Sequence, residues 1–242
     1  MSEDSDLVAE AARLEEQGYE AFKAGDAARS RDLNDRSLAR AREAGDPEAI
    51  AKALAGLMRL GLRAGDHEDV ERLASECDEV ARRAGRPELR RLPLHMRAES
   101  ARMQGELARA GELYDASITL NVELGNEAMV AVERGNKSWV EIGLGRLDEA
   151  ELLLRASLAA AVDDYGVAFC LLGLARVELE RGRERGVELL GAAEAVLGRT
   201  GLVWDPAEQP EYDATLTLAR AVAGDRTEEL RVAGAAADLG SL

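Results

Sequence analysis

Few side chains in this 242-residue sequence could act on a substrate or hold a metal. Histidine occurs at His67 and His95 only, and cysteine at Cys77 and Cys170 only. The tripeptide His67-Glu68-Asp69 sets an imidazole beside two carboxylates, the residue types of acid–base or metal chemistry. It reads as a turn between helices, however, with no second histidine at helical spacing to complete a ligand set. Nothing in the spacing brings a serine or cysteine to His95, so no nucleophile–base pair is assembled there. Cys77 falls on an apolar helical stripe and reads as a structural thiol. Cys170 lies too far along the chain to bridge to it, since a disulfide needs Cα atoms within about 7 Å. Neither cysteine belongs to a CxxC or Cys/His cluster that would hold zinc. Neighbouring carboxylates such as Asp163-Asp164 are expected to solvate helix ends. With no GxxxxGK[ST] phosphate loop either, the sequence offers no catalytic set, no metal site and no cofactor motif, and it reads as a non-enzyme.

The elements that would position any binding residue follow from a repeat. Gly25, Gly65, Gly105 and Gly145 fall forty residues apart, followed by Gly182 and Gly224. Each closes a helix-forming stretch and precedes a charged residue, Asp26, Asp66, Glu106, Arg146, Arg183 or Asp225. Glycine can end one helix in a left-handed conformation and aspartate can cap the next. A second series half a period away, at Gly45, Gly85, Gly125 and roughly Gly166, marks the other turn, with Pro47 and Pro87 just after the first two. Each repeat is therefore two helices and two turns.

Leucine recurs eight residues after the first glycine, at Leu33, Leu73, Leu113, Leu153 and Leu190. A small residue recurs twelve after it, at Ser37, Cys77, Ser117 and Ser157, with Glu194 breaking the series. Eleven before it stand Leu14, Leu54, Leu94 and Leu171, with Arg134 the exception. Val70, Leu73, Ala74, Cys77, Val80 and Ala81 make one apolar stripe opposite Glu71, Arg72, Glu76 and Glu79. Such a hairpin buries its stripe only by stacking on its neighbours. Six hairpins, at about 7–46, 48–86, 88–126, 128–165, 167–203 and 206–240, use the whole chain as one helical-repeat domain, 1–242. The last is irregular, because Leu230 comes six rather than eight residues after Gly224.

Composition agrees and narrows the partners. Apolar residues make up 46% and charged residues 32% of the chain, with aromatics only 3%. Lysine stands only at Lys23, Lys52 and Lys137, and the wealth of Ala, Gly and Arg fits a GC-rich bacterial coding sequence. The formal net charge of −16 repels phosphate backbones and anionic membranes, so nucleic acid and membrane surfaces are disfavoured partners. No apolar run reaches the ~18 residues of a membrane span. Met1-Ser2-Glu3-Asp4 has neither the basic patch nor the apolar core of a signal peptide, which gives a cytoplasmic expectation.

The segment Leu144-Gly145-Arg146-Leu147-Asp148-Glu149-Ala150 resembles a tetratricopeptide repeat, here in a forty-residue variety. That resemblance implies an all-α, right-handed superhelical solenoid of about six antiparallel helix hairpins. The tail, Leu189-Leu190-Gly191-Ala192-Ala193-Glu194-Ala195 with Pro206, Tyr212 and Gly224 following, resembles the closing segment of large bacterial LuxR-type regulators, as does Cys170-Leu171-Leu172-Gly173-Leu174-Ala175. In those regulators the repeats form a sensor or protein-docking arm.

Tetratricopeptide grooves bind extended peptides along the first helix of each hairpin. Six residues before each turn glycine, the resemblance implies groove positions at Tyr19, Arg59, Glu99, Trp139 and Arg176. Lys52, Arg63, His95, Arg102 and Asn136 extend the set and would suit an acidic ligand or a C-terminal carboxylate. Trp139 has two readings, groove contact or hairpin packing. The function expected is a non-catalytic adaptor or sensor for a protein or peptide, in bacterial regulation. The alternative is a scaffold that self-associates around Trp204 and Tyr212, and a homo-oligomer stays open.

Overall fold

A computed structural model describes residues 3–204 and 208–237. Met1, Ser2, Pro206 and both ends of the last expected hairpin, 206–240, lie outside the described residues. Every regular element among those described is helical. In chain order they are α1 (Glu3–Lys23), α2 (Ala27–Ala44), α3 (Pro47–Ala64), α4 (His67–Ala84), α5 (Arg91–Met103) and α6 (Leu107–Glu123). There follow α7 (Glu127–Gly143), α8 (Leu147–Ala159), α9 (Asp164–Glu180), α10 (Arg185–Thr200), α11 (Gln209–Ala223) and α12 (Thr227–Ala236). Short 3-10 turns at Pro87–Arg90 and Gly224–Arg226 precede α5 and α12. The all-α repeat of helix hairpins expected from the sequence is the observed fold.

The turns work as their residue types require. Gly45, Gly65 and Gly85 close α2, α3 and α4 in the left-handed region, with φ of 66°, 69° and 64°. A side chain there would cost roughly 1–2 kcal/mol. Asp26, Asp46 and Asp66 then cap the next helices by accepting from the backbone N–H of Arg29, Ala49 and Asp69 at 3.0, 2.7 and 3.0 Å. Because Asp66 is the cap, His67-Glu68-Asp69 forms the first turn of α4 instead of the turn before it. Gly166 also departs from expectation. It lies inside α9, where its N–H donates to the capping carboxylate of Asp163 at 2.8 Å, and that turn has no left-handed glycine.

Two compact units organise the chain, residues 1–120 and 121–242. In the first, Leu54, Met58, Val70, Leu73 and Cys77 lie at the heart of the core. In the second, Leu154, Leu172, Val177, Leu190 and Val196 do. Each of these leucine, valine and methionine side chains contributes about 1.5–3 kcal/mol by leaving water. An exposed ion pair contributes roughly 0.2–1 kcal/mol, so the apolar stripes, not the many surface Arg–Glu pairs, hold the hairpins together.

Registry comes from small residues. The Ser37 and Ser157 hydroxyls donate to the carbonyls of Ala11 and Ala131, each at 2.8 Å and each across its own hairpin. Asn34 wedges between Gly18 and Gly56, whose missing Cβ atoms would fall 2.6 and 1.9 Å from its side chain. Gly173 leaves the same kind of space for Leu154. Closest of all, a Cβ at Gly234 would stand 1.8 Å from the carbonyl oxygen of Glu188, and one at Gly191 2.0 Å from that of Arg231. Backbone therefore lies on backbone where α12 meets α10.

Candidate functional site

The most organised exposed group in the first unit stands on α1 and α3. Tyr19 is 42% exposed. Its ring stacks near Phe22, with centroids 6.4 Å apart and planes 12° apart. Two cations flank it: Lys23 Nζ and Arg59 Cζ each lie 5.0 Å from the ring centroid. Arg59 donates to Glu15 at 3.1 Å and Lys23 pairs with Glu20 at 2.6 Å. Beside them the Arg63 guanidinium lies 3.4 Å from the Phe22 ring centroid and donates to the Phe22 carbonyl at 2.6 Å. An aromatic face carrying cations in this geometry holds them in place without neutralising them, which suits recognition of an anion.

On α5 the candidates have turned to one another. Glu99 accepts from Arg102 at 3.0 Å and from the hydroxyl of Tyr114, itself fully buried. The Arg102 and Glu99 side chains are 12% and 14% exposed. Burial alone would raise the Glu99 carboxyl. The charges of Arg102 and His95, with the hydrogen bonds from Tyr114 and Arg102, outweigh it and hold the group below the usual carboxylate range. Lys52, one turn into α3, is exposed and pairs with Glu48 at 3.0 Å.

In the second unit Trp139 is 6% exposed and belongs to the core. Its ring lies 6.1 Å from that of Phe169, so of the two readings the geometry takes hairpin packing. Asn136 is half-buried on the same helix, and Arg176 on α9 donates to Glu180 at 2.8 Å. Thus the structure brings together Tyr19, Arg59 and Arg63, and separately His95, Glu99 and Arg102. It gathers none of Asn136, Trp139 and Arg176 around an open surface. Trp204, offered for self-association, is 9% exposed and packs on Tyr165 and Tyr212 at 6.2 and 5.8 Å. The Tyr212 hydroxyl donates to Glu194 at 2.7 Å; burial, then this bond, pushes it up to about 12.

Lys23, Phe22 and Glu15 escaped the sequence reading, although i, i+3 and i, i+4 spacing from Tyr19 would have found them. A second omission left no such trace. His67 Nδ1 lies 2.9 Å from Ser100 Oγ, which also accepts from Gln104 at 3.3 Å. Ser100 is buried, so this pair reads as a tie between hairpins rather than a nucleophile and base. Cys77 is buried beneath Leu89, whose carbonyl accepts from its thiol at 3.8 Å, and Cys170 stands 3.2 Å from Ser157 Oγ. Both thiols are free. Among the described residues no group of three or more His, Cys, Asp or Glu could hold a metal ion, and no helix is long and apolar enough to cross a membrane.

No protein-family model matches the sequence, nor does any curated protein sequence. Solved structures do. A chain described as a kinesin light chain from Podosopora anserina, with nearly identical TPR-like repeats, superposes with a TM-score of 0.58 at 19% identity, over 83% of this chain and 99% of its own. BtubC (BKLC) from P. vanneervenii gives a TM-score of 0.51 at 16% identity, over 98% of this chain and 94% of its own. At these identities the likeness is one of fold, a TPR-like repeat of helix hairpins.

Proposed function

We propose that the chain is a non-catalytic docking protein that receives an extended acidic segment of a partner on the α1–α3 face of its first unit. One observation carries this: the exposed Tyr19 ring with Lys23 and Arg59 held 5.0 Å from its centroid on a protein of net charge −16. Tyr and Arg are the side chains that concentrate binding energy at interfaces, because they offer large, pre-positioned contact area. Lys23 pairs with Glu20 and Arg59 with Glu15 beside the Tyr19 ring, so an incoming carboxylate finds cations already desolvated on one side by an aromatic ring. The TPR-like fold supports the reading, since stacked hairpins of this kind serve as protein-interaction scaffolds. A role as sensor arm in bacterial regulation draws its support from the resemblance of the tail to LuxR-type regulators.

Selection of a random-peptide library on the intact protein tests it. Enriched peptides should be rich in Asp and Glu and should lose binding to Tyr19→Ala. Peptides without acidic bias, or indifferent to Tyr19→Ala, would count against the reading. A second reading, self-association, rests on the aliphatic side chains of Val162 and Val203, 80% and 79% exposed in the second unit. Light scattering showing a monomer at all concentrations would remove it.

A further inference from the structure

One stretch of the first unit has a charge opposite to that of the whole chain. Between Arg82 and Arg97 stand six arginines, Arg82, Arg83, Arg86, Arg90, Arg91 and Arg97, against the single carboxylate Glu88. The chain turns a corner here, far along α4 from the Asp66 cap. α4 ends at Ala84, Gly85 takes φ 64°, and Pro87 opens the 3-10 turn. Arg82 comes from the last turn of α4, Arg86 and Arg90 from beyond the corner. The three line one cavity of about 480 Å³, with Asp78, Ala81, Gly85 and Pro87.

Each guanidinium has five N–H donors. Arg82 uses two on Glu79, at 2.8 and 2.6 Å. Arg86 gives one to Glu88 at 2.7 Å and one to Glu48 at 3.2 Å, and Arg90 gives one to Asp78 at 3.2 Å. Most of the donors around the cavity therefore stay available to a ligand. The carboxylates of Glu79, Glu88 and Glu48 lie outside its lining. Asp78, the one carboxylate that lines it, is shared with Arg97. At the end of α4 the carbonyls of Ala81 and Arg82 accept from the N–H groups of Arg86 and Gly85 at 3.0 and 3.3 Å, which partly caps the negative end of the helix.

Solvated ion pairs at a helix end would explain one or two such arginines. Three arginines lining one cavity, with N–H donors to spare, match an oxyanion with more than one charge and more than two acceptor oxygens, which a carboxylate is not. We infer that this corner is a binding site for a phosphate monoester dianion, separate from the Tyr19 face. The space around the arginines is left for the group that carries the phosphate.

The test titrates the intact protein at constant ionic strength with inorganic phosphate and with a capped phosphoserine peptide, following the arginine Nε–H resonances by NMR. Saturable shifts of Arg82, Arg86 and Arg90 are expected. The double variant Arg82→Gln, Arg90→Gln should bind about tenfold more weakly or worse. Both residues are exposed, so the variant should keep its helical circular dichroism, and Arg155→Gln, Arg183→Gln in the second unit should bind as the parent does. Tighter binding of the peptide assigns the phosphate to a partner side chain; equal binding assigns it to a small free anion. Shifts that chloride reproduces, or binding that survives in Arg82→Gln, Arg90→Gln, would overturn the inference.

Discussion

Glu99 shows how a single residue can look like a ligand-binding group and serve the fold. With Arg102, His95 and Tyr114 around it, its carboxyl titrates below the ordinary value of 4.5. A depressed carboxyl contributes stability that is fully present above the unfolded value and is lost as pH falls through the folded one. Glu99→Gln should therefore lower stability at neutral pH by about 2 kcal/mol, by removing the charged acceptor that Arg102 and the Tyr114 hydroxyl share. It should also flatten the loss of melting temperature between about pH 5 and pH 3. Equal acid sensitivity in parent and variant, by thermal melts across that range, would contradict the assignment. The buried thiols make a second test. Burial pushes Cys77 up to about 12 and raises Cys170 as well. Neither should react with a disulfide reagent at pH 8 until the chain unfolds, and rapid labelling of the native protein would show that Cys77 is not enclosed.

At the scale of the helices, small residues decide where one element meets the next. Gly234→Ala puts a methyl against the Glu188 backbone, which no rotamer change relieves, and should cost about 3 kcal/mol. Gly198→Ala, also inside a helix but with nothing within 4 Å, should gain about 0.5–1 kcal/mol instead. Urea melts of the two variants separate a packing role from a propensity effect. Much of this layer was legible in the sequence. The leucines at Leu14, Leu54, Leu94 and Leu171 are buried as their spacing requires. Leu113 and Leu153 are only half-buried, because Tyr114 and Leu154 next to them take the inward position. The series through Ser37 and Ser157 was readable as small, but its acceptors, Ala11 and Ala131, lie 26 residues back and come near only once the hairpin closes. Tyr19 and Trp139 occupy equivalent places in the repeat. Trp139 turns inward because Phe169 is there to meet it, a fact held by the next hairpin and not by the period.

Over the whole molecule, net charge and local charge pull in opposite directions. A chain of −16 repels acidic partners at long range, while the Tyr19 face and the Arg82–Arg90 corner offer them cations at short range. Raising the salt concentration screens both contributions over about 8–10 Å, so its net effect on binding reports which dominates. A contact made by Lys23, Arg59 and Arg63 should weaken with salt. The central claim is tested most directly by fluorescence anisotropy of a labelled oligoglutamate peptide with a free C-terminal carboxylate, titrated with the parent protein and with Tyr19→Ala, Arg59→Gln. Saturable binding by the parent, weakened by salt and reduced about tenfold or more in the double variant, is the predicted result. Equal binding by parent and variant, or none by the parent, would contradict it.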